Sequence, residues 1–182
     1  MRDAVRPEAG FAGREATFGM RSRDPEEGAR GGTRGSPTLE ELAELFEGRT
    51  RFVERLAAAP DPLDRARTLV HELPLDGKRE ILDAHPAIGQ RTGLSARSTA
   101  EQGEDSDPAV LEELFRLNAA YEARHGFRFV VFVNRRPKAE ILEVLRERVD
   151  NPTETELETA LGELVAIARD RWQSAAHEEV SD

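Results

Sequence analysis

The chain has 182 residues and no cysteine. That single absence excludes a disulfide framework, a thiol nucleophile and a thiolate metal site. Long apolar runs are missing too. None approaches the ~20 residues that cross a bilayer, so no membrane partner is expected. Basic residues are in deficit, 26 Lys and Arg against 36 Asp and Glu, for a net charge of −10. Nucleic acid is therefore not an expected partner, because phosphate contacts need clustered Lys and Arg. A hydrophobic fraction of 38% is low, and a charged fraction of 34% high, for a wholly packed chain. At roughly 150 residues per domain, the length allows one ordinary domain plus an unpacked portion. The expectation is a soluble, cytoplasmic protein.

The unpacked portion falls at the start. Residues 1–37 hold seven of the 14 glycines and show no apolar periodicity. Arg30-Gly31-Gly32-Thr33-Arg34-Gly35-Ser36-Pro37 has the composition of a flexible linker. The stretch has no apolar core of a signal peptide, and its acids argue against a mitochondrial presequence. Residues 1–37 thus read as a disordered extension, 38–175 as a helical domain and 176–182 as a short polar tail. Seven Arg and six acids give the extension +1, which leaves −11 on residues 38–182.

Helical punctuation begins at Ser36-Pro37, a cap followed by proline at the first helical position, before Leu39 to Phe46. Phe52 and Leu56 lie four apart within Arg51–Ala59. Asp61-Pro62 repeats the cap signal, and Leu63, Ala66, Leu69, Val70 and Leu73 follow at helical spacing. Asp76 opens a segment with Ile81 and Leu82 that Pro86 stops. Asp107-Pro108 starts another, in which Val110, Leu111, Leu114, Phe115, Leu117 and Tyr121 form a wide apolar stripe, and Gly126 sits as a C-cap glycine. Phe127–Val133 is the one β-like run, and no partner strand is visible. Helix resumes over Pro137–Arg148, and Asn151-Pro152 leads into a long last helix. The pattern predicts an all-α fold: one compact domain of about six to eight helices.

Four histidines are present, and their spacings suggest no zinc site. His71, His125 and His177 lie in polar or helix-end contexts and read as surface residues. His85 differs, because Pro86 and Gly89 break the chain just after it. Either it meets the dipole at a helix C-terminus as a cation, or it projects an imidazole into a cleft to move protons near pH 7. Ser98-Thr99-Ala100-Glu101-Gln102 satisfies the capping-box pattern. The polar run that follows gives such a cap no apolar helix to launch, so these side chains equally suit a small polar ligand. Arg171 continues the apolar face of Leu157, Ala160, Leu164 and Ile167, whereas Arg169 points elsewhere. A buried arginine needs an anion, from the protein or from a ligand, unless it snorkels to water.

An ordered set of short pieces then spans residues 39–172. These are Phe46-Glu47-Gly48 with Phe52-Val53-Glu54, His85-Pro86-x-Ile88-Gly89, Ser98-x-x-Glu101-Gln102 and Leu117-Asn118-x-x-Tyr121. After them come Gly126-Phe127-x-Phe129-Val130-Val131, Glu147-Arg148-Val149-x-Asn151, Glu156 and Ile167-x-x-x-Arg171. The set resembles the family that decarboxylates 2-oxo-4-hydroxy-4-carboxy-5-ureidoimidazoline (OHCU) to (S)-allantoin, the last step from urate. The resemblance implies an all-α fold, no cofactor, no metal, a small anionic substrate and a homodimer. It also implies catalytic roles for His85, Glu101 and Arg171. Substrate contacts would come from Pro86, Ser98, Gln102, Phe129, Val130, Val131, Phe132 and Val133.

Two competing readings remain at this stage: a non-enzymatic helical interaction module, and a family member retuned to a related ureido acid. In a module His85 would cap a helix and Arg171 would pair with a buried acid. An enzyme would bring His85, Glu101 and Arg171 onto one solvent-accessible cavity, whereas a module would scatter them or seal them into the core.

Overall fold

The first helix begins at a reciprocal cap. Thr38 Oγ1 accepts from the Glu41 N–H (3.2 Å) while Glu41 Oε2 accepts from the Thr38 N–H (2.8 Å). The cap therefore lies two residues beyond the expected Ser36-Pro37, since Thr38-x-x-Glu41 satisfies two orphan donors where Ser36 would satisfy one. This computed structural model describes residues 35–89 and 107–180, with side chains through residue 176. The extension through residue 34 and the expected site residues Ser98, Glu101 and Gln102 lie outside the described residues, as does the His177 side chain.

Seven helices and no strand occur among the described residues, as the all-α expectation requires. They are α1 (Leu39–Leu45), α2 (Arg51–Ala57), α3 (Pro62–His71), α4 (Leu75–Ala84), α5 (Pro108–His125), α6 (Lys138–Arg148) and α7 (Thr153–Val180). The last helix runs on through residues 176–180, which the polarity pattern assigns to a tail. α7 is the spine: α1, α3, α4 and α5 all pack on it, α6 pairs with α5, and α2 bridges α1, α3 and α4. None of the described helices is long and apolar enough to cross a membrane.

Local chemistry sets the ends that matter. Asp107 caps α5 by accepting from the Ala109 N–H (2.9 Å) with Pro108 behind it, and Gly126 closes the helix in the left-handed region at φ 76°. α4 stops at Ala84 because Pro86 pushes His85 out of the helical region, to φ −73° and ψ 139°. The core is built from Leu42, Phe46, Phe52, Leu56, Val70, Ile81, Leu82, Leu114, Tyr121, Ile141, Leu145, Leu161 and Leu164, all fully buried. Phe115 departs from its expected place on the buried stripe and is 79% exposed. The buried members of the stripe on α5 are Leu114, Leu117 and Tyr121.

Phe127–Val133 is extended but has no β-ladder; side chains do the ladder's work. Arg148 Nη1 donates to the Val130 carbonyl (3.1 Å), and Glu163 Oε2 accepts from the Phe132 N–H (2.6 Å). Arg136 donates to the Phe132 and Val133 carbonyls (2.6 and 3.1 Å). Arg148 lies over the Phe129 ring at 4.7 Å and pairs with Glu156 (2.8 Å). That carboxylate, 0% exposed, also accepts from Tyr121 (2.7 Å) and from the Asn151 amide (2.8 Å). Burial, together with the neighbouring carboxylate, pushes the Tyr121 phenol up, so it stays a donor.

Glu156→Gln leaves the Arg148 cation buried without its carboxylate. Unfolding by urea should show a loss of about 3–5 kcal/mol, and a variant as stable as the parent would show that this network does not hold the fold.

Candidate functional site

His85 is carried on the shoulder that Pro86 creates at the end of α4. Its backbone is clamped from the extended segment: Arg128 Nη1 donates to the His85 carbonyl (2.6 Å), and the Arg128 N–H donates to Asp83 Oδ1 (3.0 Å). Arg128 also reaches Glu122 on α5 (3.3 Å). The imidazole is 5% exposed, and among the described residues neither ring nitrogen has a hydrogen-bond partner. Burial is the main cause that lowers its pKa to about 4; the Arg171 cation adds to the effect, Glu47 opposes it, and Arg128 contributes further lowering.

Arg171, 3% exposed, is where the helical stepping of α7 places it, on the buried face. Its Nη1 donates to the Leu45 carbonyl (3.0 Å), and its Nη2 pairs with Glu47 Oε1 (2.9 Å). The anion that a buried arginine requires is thus partly supplied by the protein. Arg169 does point elsewhere, donating to the Leu63 carbonyl (2.9 Å).

Glu47, the middle residue of Phe46-Glu47-Gly48, carries no site signal in its sequence pattern, yet it joins this cluster. It sits in the α1–α2 turn at φ 60°, a left-handed conformation. There Gly48 N–H reaches back to the Ala43 carbonyl (2.8 Å) and Glu47 N–H to that of Glu44 (3.5 Å). This is the helix-ending arrangement in which the Glu47 position normally takes glycine. A side chain there costs about 1–2 kcal/mol. Gly48 packs on the last turn of α4: a Cβ at 48 would lie 3.4 Å from Ala84 Cβ, one residue before His85. The turn that carries Glu47 therefore abuts the shoulder that carries His85.

Pro86 is half-buried beside His85, and Phe129, Val130, Val131 and Val133 are buried while Phe132 is half-buried. His125 is not a surface residue but 2% exposed, held by Thr153 Oγ1 (3.1 Å) and the Val149 carbonyl (3.2 Å). A helix-end position can be buried when the next helix starts against it. His71 is half-exposed and pairs with Glu158 (2.7 Å). Among the described residues no group of His, Asp and Glu could hold a metal ion. A cavity of about 680 Å³ opens beside Ala87, Ile88 and Gly89 and is lined also by Leu111, Phe115 and Asn118. Neither His85 nor Arg171 lines it.

The unmet nitrogens of His85 set it apart from an ordinary core histidine. A core histidine is normally satisfied, as His125 is, because an unmet buried polar atom costs about 1–3 kcal/mol. A neutral imidazole offers one donor and one acceptor. Beside it stand a fixed guanidinium and a carboxylate. In this helical protein the three side chains form one buried polar cluster, almost closed to solvent, with the arginine paired to an acid and the imidazole unmatched.

Comparison with known proteins agrees. The family described as OHCU decarboxylase matches residues 36–173, and the chain belongs to that family. A 2-oxo-4-hydroxy-4-carboxy-5-ureidoimidazoline decarboxylase of Haloferax volcanii is 33% identical over 140 residues, covering 71% of this chain and 83% of its own. The crystal structure of an OHCU decarboxylase in the presence of (S)-allantoin shares the fold, with a TM-score of 0.61 and 24% identity over 78% of this chain and 99% of that one. An (S)-allantoin synthase structure aligns with a TM-score of 0.56 and 26% identity, over 75% of this chain and 48% of its own.

The low pKa of His85 has a consequence for stability. Above pH 6.5 the ring is neutral folded or unfolded; as pH falls, the unfolded chain takes up a proton first, and the folded one only near pH 4. Stability should therefore drop by about 3 kcal/mol between pH 6.5 and 4 from this group. Denaturant titrations of the wild type and His85→Asn across that range should differ in slope, the variant losing less. Parallel curves would contradict a ring buried in its neutral form.

Proposed function

We propose that the chain is a carboxy-lyase that converts OHCU to (S)-allantoin without a cofactor, with His85, Glu101 and Arg171 as its catalytic residues. The observation that supports His85 and Arg171 is the buried imidazole with two unmet nitrogens beside the Arg171–Glu47 pair; Glu101 rests on the family resemblance alone. Family membership supplies the reaction.

The substrate makes a cofactor unnecessary. Its C4 carboxylate is adjacent to a C=N bond at C5. When the C4–CO₂ bond breaks, its electron pair forms C4=C5 and the C=N electrons move to nitrogen. That nitrogen takes up the proton the C4 hydroxyl gives up as it becomes a carbonyl, and a second proton added to C5 on one face yields allantoin. Enzymes that lack such a substrate borrow the electron sink from a cofactor. The protein has to orient the carboxylate, stabilise charge on the ring and control the face of protonation.

In this reading His85 is neutral before substrate arrives, because burial and Arg171 disfavour its cation. An anionic substrate beside it reverses that balance, so the ring takes up a proton on binding and returns it to C5. Arg171 recognises an anionic or carbonyl group, its guanidinium orientation set by Leu45 and Glu47. Glu101, Ser98 and Gln102 bind the ureido and hydroxyl groups. Pro86 and the Phe129–Val133 segment complete the site; among the described residues, the Val131 main chain makes no hydrogen bond of its own and suits a ligand amide. The working form is a cytoplasmic homodimer, a state that light scattering on the purified chain reads directly.

The test generates OHCU in situ from urate and follows (S)-allantoin by circular dichroism. The wild type should speed its appearance and suppress the racemic decay; an unchanged decay overturns the assignment. His85→Asn should lose about 10²–10⁴-fold in kcat, and Arg171→Gln about 10²–10³-fold. A folded His85→Asn with wild-type turnover would remove that residue from the mechanism.

A further inference from the structure

We propose that Glu47 is a positioning residue of this site: its carboxylate, presented by a left-handed turn, aims the Arg171 guanidinium and offsets its charge at His85. The inference deepens the decarboxylase reading and rests on it for its kinetic consequence.

The first support is conformational. The turn needs a residue at φ 60°, glycine is the residue that takes this conformation without strain, and glycine stands at the very next position. A glutamate at 47 gives the turn nothing that glycine would not give better. Strain of this kind persists where the side chain has a task.

The second support is where that side chain goes. It does not reach for water, as glutamates on helix ends do. Its carboxylate lies 2.9 Å from Arg171 Nη2, and both side chains are almost wholly buried. The adjoining Leu45 carbonyl takes Arg171 Nη1 at 3.0 Å, so one turn of the α1 terminus grips the two ends of the guanidinium fork. A planar fork held at two points has its rotation about the side-chain axis removed.

The third support is electrostatic. Among the described residues, the charged groups that act on His85 come from three elements: Arg171 on α7, Arg128 on the extended segment and Glu47 on the α1–α2 turn. Two are cations that oppose protonation of the ring. Glu47 is the anion that favours it. With Glu47 in place, the imidazole lies within reach of a proton once substrate binds; without it, two cations would hold the ring neutral more firmly. One carboxylate thus serves both the group that holds the substrate and the group that carries the proton.

The experiment compares wild type, Glu47→Gln and Glu47→Asp. Ring resonances of His85, followed by heteronuclear NMR from pH 3.5 to 8, report its titration independently of activity. Glu47→Gln keeps the side chain's size and removes its charge: the His85 midpoint should fall by at least about half a pH unit. Its kcat/KM for OHCU should fall about 10²-fold, mainly through kcat. Glu47→Asp keeps the charge with a shorter reach. It should titrate near wild type and still lose activity, which separates aim from charge. A folded Glu47→Gln with the wild-type midpoint and wild-type kcat/KM overturns the proposal. If Glu47→Gln does not fold, Glu47→Asp decides, and full activity in that variant overturns it. If the wild type itself leaves OHCU decay unchanged, the decarboxylase reading fails, while the His85 titration still rules on the electrostatic role of Glu47.

Discussion

One carboxylate without contact to water, Glu156, ties together the parts of the molecule that carry chemistry. It receives a phenol from α5, a guanidinium from the end of α6 and an amide from the turn that leads into α7. Through Arg148 it reaches the extended segment, whose Val130 carbonyl the same guanidinium holds. A β-strand without a neighbour would leave its peptide groups unpaired in the interior, a cost of several kcal/mol. Here side chains from three helices and a turn take the place of the neighbour. The segment is extended because its partners are fixed points on helices, and it ends where Asn134 and Arg135 turn left-handed.

α7 repeats the device one end further on. Glu156 lies near its start and Arg171 near its far end, and each is a buried charge paired with the opposite sign from a different element. A buried pair is weak evidence of added stability, since desolvation offsets most of the attraction. What it does supply is register, because a displaced partner leaves a charge unmet. The first pair sets the extended segment against α7. The second sets the α1–α2 turn, and with it the shoulder of His85, against the same helix. The site thus lies between two locked positions on one rigid rod.

Much of this fold can be read from single residues. Asp107-Pro108 and Gly126 bracket α5, Pro86 stops α4 one residue after Ala84, and stepping by three and four from Leu157 lands Arg171 on the buried face. These are local signals, set by which backbone conformations a residue allows. The misreadings are tertiary. Phe115 lies outside although it belongs to the apolar stripe of α5, and His125 lies inside because Thr153 and Val149 arrive from elsewhere in the chain. Arg128 looks like an ordinary surface base until its target, the His85 carbonyl, is in view. Glu47 was the hardest to see. A glutamate before a glycine at a helix end reads as a solvated side chain, and only the left-handed φ and the distance to Arg171 reveal otherwise.

The charge balance sharpens what the site must do. Residues 38–182 carry −11, yet the proposed substrate is an anion. Long-range attraction cannot draw it in, and charges beyond about 8 Å are largely screened at physiological salt in any case. Nor is the arginine a lone positive well, since Glu47 already balances it. An unpaired guanidinium at 3% exposure would carry its full desolvation cost in the empty enzyme and would hold His85 neutral too strongly to pick up a proton. Pairing removes the first difficulty and eases the second, at the expense of raw attraction for the anion. Recognition then has to come from direction rather than charge: a fork held at a set angle, an imidazole with one donor and one acceptor, and peptide groups of a segment that cannot shift. Such a site discriminates by the placement of hydrogen-bonding groups, which suits a substrate whose ring, ureido arm and carboxylate must be held so that a proton reaches one face only.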